Sequence, residues 1–281
     1  MHIAVCSWSL LPTGPRDLCQ KVEGLALDSV QLALDPIRLG DWDLAQTEAA
    51  LSEAGIRVCS GMIAMEGEDY STLETIAETG GVRSDSLWER NLAATSANAA
   101  LAQQLGLSLV TFHAGFLPHD TADAVRQTMV SRLRQVADIF SEYEIEVALE
   151  TGQESAATLV TVLNELQRPG VGVNFDPANM ILYGMGDPIA ALQQLAPWVR
   201  QLHVKDATAA TTPGAWGTEV PVGSGHVDWH RFVAVVGELC RDRALVLERE
   251  AGDDRLADVA RGRDLLLAIG KEQAAARGGN E

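Results

Sequence analysis

The chain has 281 residues, 47% of them hydrophobic, and its 39 acidic and 21 basic side chains give a formal net charge of −18 at pH 7. An acidic surface repels phosphate backbones and anionic lipids, so neither nucleic acid nor a membrane is an expected partner. Four scattered cysteines without a CxxC pair, a start without signal-peptide features and the lack of a membrane-length apolar run together predict a cytoplasmic protein.

Short apolar runs alternate with longer segments of helical period along the whole chain. The runs are nearly continuous in apolar residues, which is typical of parallel strands covered on both faces. They span 2–7, 29–34, 56–62, 107–113, 145–150, 171–176, 200–205 and 244–249. Helical patterns at 86–105 and 121–143 have candidate N-caps in Asp85 or Ser86 and in Thr121.

Eight such strand–helix units without a linker predict an α/β fold, a single (β/α)8 TIM barrel over residues 1–270, followed by a flexible C-terminal tail at 271–281. The open doubly wound sheet is the structural alternative, but it needs a glycine fingerprint after its first strand. The turn at that position reads SWSLLPTGP and has none. The longest stretch without clear periodicity, 206–228, is expected to be the loop after the seventh strand, on the catalytic face.

Four consecutive units change from an apolar strand to an acidic or imidazole side chain at the strand end. These residues, here called the strand-tip cluster, are Glu150, Asp176, His203 and Glu248. In a barrel the ends of the strands face one cavity, where unpaired carboxylates repel one another unless a cation lies among them. Three carboxylates and one imidazole suit Mn²⁺, Mg²⁺, Co²⁺ or Zn²⁺, so the cluster predicts a divalent-metal site.

Several short motifs around these residues form an ordered set: FHAG (112–115), ALETG (148–152), NFDPANM (174–180), LHVKD (202–206), VGSGHVDW (222–229) and LERE (247–250). In order and spacing the set resembles the xylose isomerase-like TIM barrels, and within them the sugar phosphate isomerase/epimerase group. That group includes ketose 3-epimerases, hydroxypyruvate isomerase and inosose dehydratase, and it is related to endonuclease IV. The resemblance extends from the first strand to the eighth.

The resemblance implies one divalent ion, most often Mn²⁺, bound by the strand-tip cluster. It also implies that Glu150 and Glu248 are catalytic and exchange a proton with a substrate carbon from opposite faces. This chemistry agrees with the residue types, because a metal ion stabilises the enediolate that forms when a carbon beside a carbonyl loses its proton. The expected activity is therefore isomerisation or epimerisation of a small keto-sugar, polyol or sugar acid in carbohydrate metabolism.

Four further residues are candidate substrate contacts: Trp8, His113, Asn179 and Lys205. Asn179 is the position where the family commonly has histidine, and an amide cannot transfer a proton near neutral pH, so a hydrogen-bonding role is expected. His113 can equally be structural, and Lys205 can instead form an ion pair with Asp206. Barrels of this group often pair, so a homodimer is a further expectation.

Three other functions are alternatives to the isomerase. A dehydratase of the inosose dehydratase kind needs the same metal site, because the same enediolate can eliminate water at the neighbouring carbon. A nuclease like endonuclease IV needs three metals and a basic groove, which six histidines and a charge of −18 do not favour. A catalytically silent barrel is the third, although all four metal-ligand candidates are present.

Overall fold

A computed structural model describes residues 1–212 and 214–278 and shows a closed barrel of eight parallel strands. The barrel strands are β1 His2–Cys6, β2 Ser29–Ala33, β3 Arg57–Met62, β4 Leu109–Phe112, β5 Glu146–Glu150, β6 Val171–Phe175, β7 Val199–Val204 and β10 Ala244–Leu247. Two short strands, β8 Asp206–Thr208 and β9 Thr218–Val220, form an antiparallel hairpin outside the barrel. The TIM barrel prediction is confirmed, and each predicted strand agrees with the observed one to within two residues at either end.

Helices surround the barrel and cover its outer face. They are α1 Pro15–Gly24, α2 Asp35–Arg38, α3 Leu44–Glu53, α4 Leu73–Thr79, α5 Trp88–Gln104, α6 Ala124–Ser141, α7 Ala156–Leu166, α8 Pro177–Leu182, α9 Pro188–Leu195, α10 Trp229–Leu239 and α11 Arg255–Gly278. The main apolar core contains side chains of both layers, such as Leu202 and Phe232. No helix among the described residues is both long and apolar enough to cross a membrane.

The N-caps of α5 and α6 differ from the predicted ones. Helix α6 is capped by Asp123, whose carboxylate accepts from two backbone N–H groups of the first turn, so it begins after Thr121. Helix α5 has no side-chain cap. The Asp85 carboxylate instead pairs with Arg132 at 2.5 Å, a tertiary partner that a local pattern does not reveal.

Helix α11 continues beyond residue 270 and ends at Gly278. Residues 271–278 of the predicted tail are therefore helical, and 279–281 lie outside the described residues. The flexibility expected of this segment stays a prediction.

The barrel interior is polar beneath the strand-tip cluster. Strand residues alternate between the two faces, so single polar residues inside apolar runs point inward. Gln31 Nε2 donates to Thr111 Oγ1 at 2.7 Å, and Ser60 Oγ donates to Gln201 Oε1 at 2.6 Å. Gln201 Nε2 in turn donates to Asn174 at 3.2 Å, and all of these side chains are buried. Each interior polar group therefore has a partner, which burial in a packed barrel requires.

The predicted loop at 206–228 contains the β8–β9 hairpin and is organised by one buried carboxylate, Asp206. Its two oxygens accept from the backbone N–H groups of residues 207, 223, 225 and 227 and from the Trp229 indole, at 2.9–3.2 Å. A Cβ at Gly225 would lie 2.1 Å from the Asp206 carboxylate, so this close approach requires glycine. One side chain thus fixes both ends of the loop that covers the cavity.

We expect Asp206→Ala to destabilise the protein far more than Asp228→Ala, by on the order of 3 kcal/mol against about 1 kcal/mol. The first substitution leaves several buried donors without an acceptor. The second removes an exposed cap that accepts only from Arg231 N. Denaturant unfolding of both variants beside the parent measures the difference, and equal losses would contradict the organising role of Asp206.

Candidate active site

The structure brings the four residues of the strand-tip cluster together at the carboxyl-terminal end of the barrel. Glu150 ends β5, Asp176 follows β6, His203 lies in β7 and Glu248 follows β10. Each offers one ligand atom, and these atoms all lie within 4.8 Å of one another. All four side chains are buried. The convergence follows from the barrel, because parallel strands deliver their ends to one face.

Three carboxylates surround the Nδ1 atom of His203. The distances from Nδ1 are 3.2 Å to Glu248 Oε2, 3.4 Å to Glu150 Oε1 and 3.7 Å to Asp176 Oδ2. The other ring nitrogen, Nε2, lies 2.8 Å from Gln31 Oε1, to which we assign it as the donor. That tautomer leaves an Nδ1 lone pair directed at the carboxylates, as a metal-binding imidazole requires.

The donor set fits a divalent cation. His203 Nδ1, Asp176 Oδ2 and Glu248 Oε2 are buried without a hydrogen-bond partner. Buried polar atoms are rarely left unpaired in proteins, and three facing one point indicate a shared ligand. Three carboxylate oxygens and one imidazole nitrogen suit a hard or borderline divalent ion.

The charges of the cluster shift one another's pKa values. Burial lowers the pKa of His203, but the Glu248 and Glu150 carboxylates outweigh burial and hold it well above its ordinary value. Burial raises the pKa of Glu248, but Lys205 and His203 outweigh it and hold that pKa well below its ordinary value. Glu248 is therefore a carboxylate under neutral conditions, the form that binds a metal or accepts a proton.

Asp176 and Asn179 are linked through the first turn of α8. Asp176 Oδ1 accepts from the backbone N–H groups of Ala178 and Asn179 at 2.7 and 3.0 Å, so Asp176 is also the N-cap of the helix. The Asn179 side chain donates from Nδ2 to Glu150 Oε1 at 2.9 Å and lines the cavity above the cluster. Asn179 thus orients one ligand candidate directly and lies where a substrate would contact it.

The other three predicted substrate contacts also line this cavity. Trp8 Nε1 donates to Glu248 Oε1 at 2.8 Å, and His113 Nε2 lies 3.6 Å from Glu150 Oε1. Lys205 does not pair with Asp206, because alternation along the strand sends Asp206 outward to its own loop. Lys205 Nζ instead contacts Glu248 Oε2 at 3.1 Å and Glu250 Oε2 at 2.5 Å.

Sequence reasoning missed several residues that complete the site. Gln31 and Asn174 support the cluster from inside the barrel, since Asn174 Nδ2 donates to Glu150 Oε2 at 3.3 Å. The available signal was a single polar residue at an inward position of each apolar strand. Tyr70, Tyr183 and Glu250 line the cavity from loops, where no sequence period indicates a direction.

Comparison with known proteins identifies the family. The model of the xylose isomerase-like TIM barrel family matches residues 19–269, so the chain belongs to that family. Its fold is similar to a crystal structure of a xylose isomerase domain protein from Planctomyces limnophilus, with a TM-score of 0.88, 30% identity, and coverage of 97% of this chain and 98% of that one. These findings confirm the family predicted from the motifs.

Two further relatives have named activities. The 3-dehydroshikimate dehydratase of Bacillus anthracis is 28% identical over 95 residues, which are 32% of this chain and 34% of the relative, so the match spans about a third of that protein. A structure of L-ribulose 3-epimerase has a TM-score of 0.75 at 14% identity and covers 98% of both chains, which shows a shared fold. The structural relatives of this barrel thus include epimerases, and a dehydratase matches part of its sequence.

One buried carboxyl beside the site has no charged partner. Glu154 lies in the loop between β5 and α7, is 3% exposed, and has no hydrogen bond or ion pair to the described residues. Burial raises the pKa of Glu154 to about 8. Because this folded-state pKa lies above the unfolded value, the protonated group is tolerated below about pH 4.5 without cost. The stability it permits is lost as pH rises through 8.

We therefore expect Glu154→Gln to have the same melting temperature as the parent near pH 5 and a higher one above pH 8. The difference should be on the order of a few kcal/mol, because glutamine stays neutral where the buried glutamate must ionise. Thermal unfolding of parent and variant from pH 5 to 9 measures it, with the exposed Glu238→Gln as matched control. Parallel profiles for parent and variant would contradict a raised Glu154 pKa.

Proposed function

We propose that this chain is a divalent-metal-dependent isomerase or epimerase that acts on a small hydroxy-carbonyl compound of the keto-sugar, polyol or sugar-acid kind. The observation that carries the proposal is the strand-tip cluster, in which two glutamates lie on either side of a histidine nitrogen without a hydrogen-bond partner. A divalent ion held there, Mn²⁺ in our proposal, supplies positive charge that stabilises an enediolate.

In the proposed reaction the two glutamates move the proton. One carboxylate accepts the proton from the carbon beside the carbonyl, and the electron pair of the broken C–H bond moves toward the carbonyl oxygen. The other glutamate, carrying a proton, returns one to carbon. Asn179 and Trp8 donate to Glu150 and Glu248 respectively, and so hold each carboxylate in place.

A dehydratase is the second candidate, and the sequence match to 3-dehydroshikimate dehydratase favours it. The first step is the same proton removal by a glutamate. The electron pair then expels a hydroxyl group from the neighbouring carbon as water, once that group has received a proton. Lys205 and His113 line the cavity and are the proton donors available to a leaving hydroxyl.

The metal site is tested by metal content per chain before and after EDTA. We expect about one Mn, Co, Mg or Zn in the parent and in the exposed control Glu238→Gln, and almost none in Glu248→Ala, which removes a buried ligand. Melting temperature should fall on EDTA treatment in the parent alone, because bound metal stabilises only the folded state. Nearly three zincs would indicate the nuclease, and no uptake would show that the cluster binds no metal.

The reaction is tested by deuterium incorporation from D₂O into ketoses and inososes. The parent, reloaded with Mn²⁺, should exchange the hydrogen beside the carbonyl, and Glu150→Gln should reduce the rate at least about 100-fold while remaining folded. Mass spectrometry distinguishes exchange from loss of water, and so separates the isomerase from the dehydratase. Exchange at the parent rate in Glu150→Gln would remove Glu150 from the mechanism.

A further inference from the structure

A cavity of about 950 Å³ opens directly above the strand-tip cluster, within the size range of small-molecule sites. Four aromatic side chains line it: Trp8, Tyr70, Tyr183 and Trp216. Tyr183 and Trp216 pack against each other, with ring centroids 5.0 Å apart. Such walls offer apolar faces for the C–H groups of a sugar ring and hydroxyl and indole donors for its oxygens.

Acidic side chains dominate the rest of the lining. Asp35, Glu68, Glu219 and Glu250 face this cavity in addition to the three carboxylates of the strand-tip cluster. Burial raises the pKa of Glu68, and this carboxyl receives only the backbone N–H of Gly81, at 2.9 Å. An anionic substrate would therefore approach several carboxylates at short range, where like charges repel strongly.

The cations near the cavity are already paired with carboxylates. Lys205 contacts both Glu248 and Glu250, and it is the single lysine among the described lining residues, which include no arginine. Arg249 directs its guanidinium to Glu219 at 2.7 Å and Asp258 at 2.9 Å. Phosphate and carboxylate groups are usually bound by free arginine forks or lysines, and the described lining offers none.

The negative charge exceeds the positive charge even with metal bound. Seven carboxyl groups, namely three metal-ligand candidates and four lining residues, face Lys205, the two arginines Arg38 and Arg249, and one divalent ion. The excess is local to the cavity and agrees in sign with the net charge of −18. Salt screens such buried charges little, so the repulsion persists under physiological conditions.

From these contacts we infer that the substrate is an uncharged polyhydroxylated ketone, a free ketose or a cyclic polyol ketone, and that sugar phosphates and carboxylate-bearing analogues are excluded. This inference rests on the proposed function and narrows it. The aromatic walls contact the carbon skeleton, the carbonyl end faces the strand-tip cluster, and the surrounding carboxylates accept hydrogen bonds from hydroxyl groups. Charge therefore separates this chain's substrate from that of a dehydratase acting on 3-dehydroshikimate.

The test compares matched probes on the Mn²⁺-loaded full chain: ketohexoses and an inosose against the 6-phosphates of the same ketohexoses and 3-dehydroshikimate. Calorimetry gives the affinities and mass spectrometry gives deuterium exchange. We expect at least one uncharged probe to bind and exchange, and the charged ones to bind at least about 100-fold more weakly. Tighter binding of a sugar phosphate or of 3-dehydroshikimate would overturn the inference and leave the proposed function intact.

A charge variant tests the cause. Glu250→Gln removes one of the two carboxylates that pair with Lys205, so the affinity for a ketohexose 6-phosphate should rise about tenfold relative to that for the free ketose. Glu238→Gln, exposed on α10, should leave this ratio unchanged. If metal binds but no uncharged probe does, the substrate inference is wrong. If no metal binds and nothing exchanges, the proposed function itself fails.

Discussion

The repulsion among three buried carboxylates around one imidazole nitrogen is the constraint on which the rest of the site depends. Protein donors hold the carboxylates without neutralising them. Asp176 uses Oδ1 to cap α8, and Glu248 uses Oε1 to accept from Trp8, so each keeps its second oxygen for the centre of the cluster. A cation at the centre compensates the repulsion that these donors leave.

The polar interior of the barrel is the structural consequence of this site. His203 needs an acceptor on Nε2, which Gln31 provides, and Gln31 in turn donates to Thr111 on another strand. An apolar interior would pack well but would leave the imidazole without an orienting partner. The large apolar core is instead formed between strands and helices, where it stabilises the fold without contacting the site.

The fold and the four metal-ligand candidates could be predicted from the sequence because both depend on local periodicity. An apolar run ending in a charged residue places that residue at the barrel mouth wherever the helices lie. The partners of Lys205 and Asp206 could not be predicted, although these residues are adjacent in sequence. Alternation sends their side chains to opposite sides, and their partners, Glu250 and the N–H groups of residues 223–227, come from later loops.

The asparagine at position 179 is explained by geometry that only the folded chain shows. Its backbone N–H donates to Asp176 and its side chain donates to Glu150, so one residue connects two ligand candidates on neighbouring strands. The loop after β5 approaches this residue so closely that a Cβ at Gly152, where φ is +131°, would lie 2.3 Å from Asn179 Cβ. A neutral amide fits this crowded contact and adds no charge to a cavity where carboxylates already predominate. Asn179 therefore fixes Glu150 as a carboxylate that receives hydrogen bonds, the form that can both bind a cation and accept a proton.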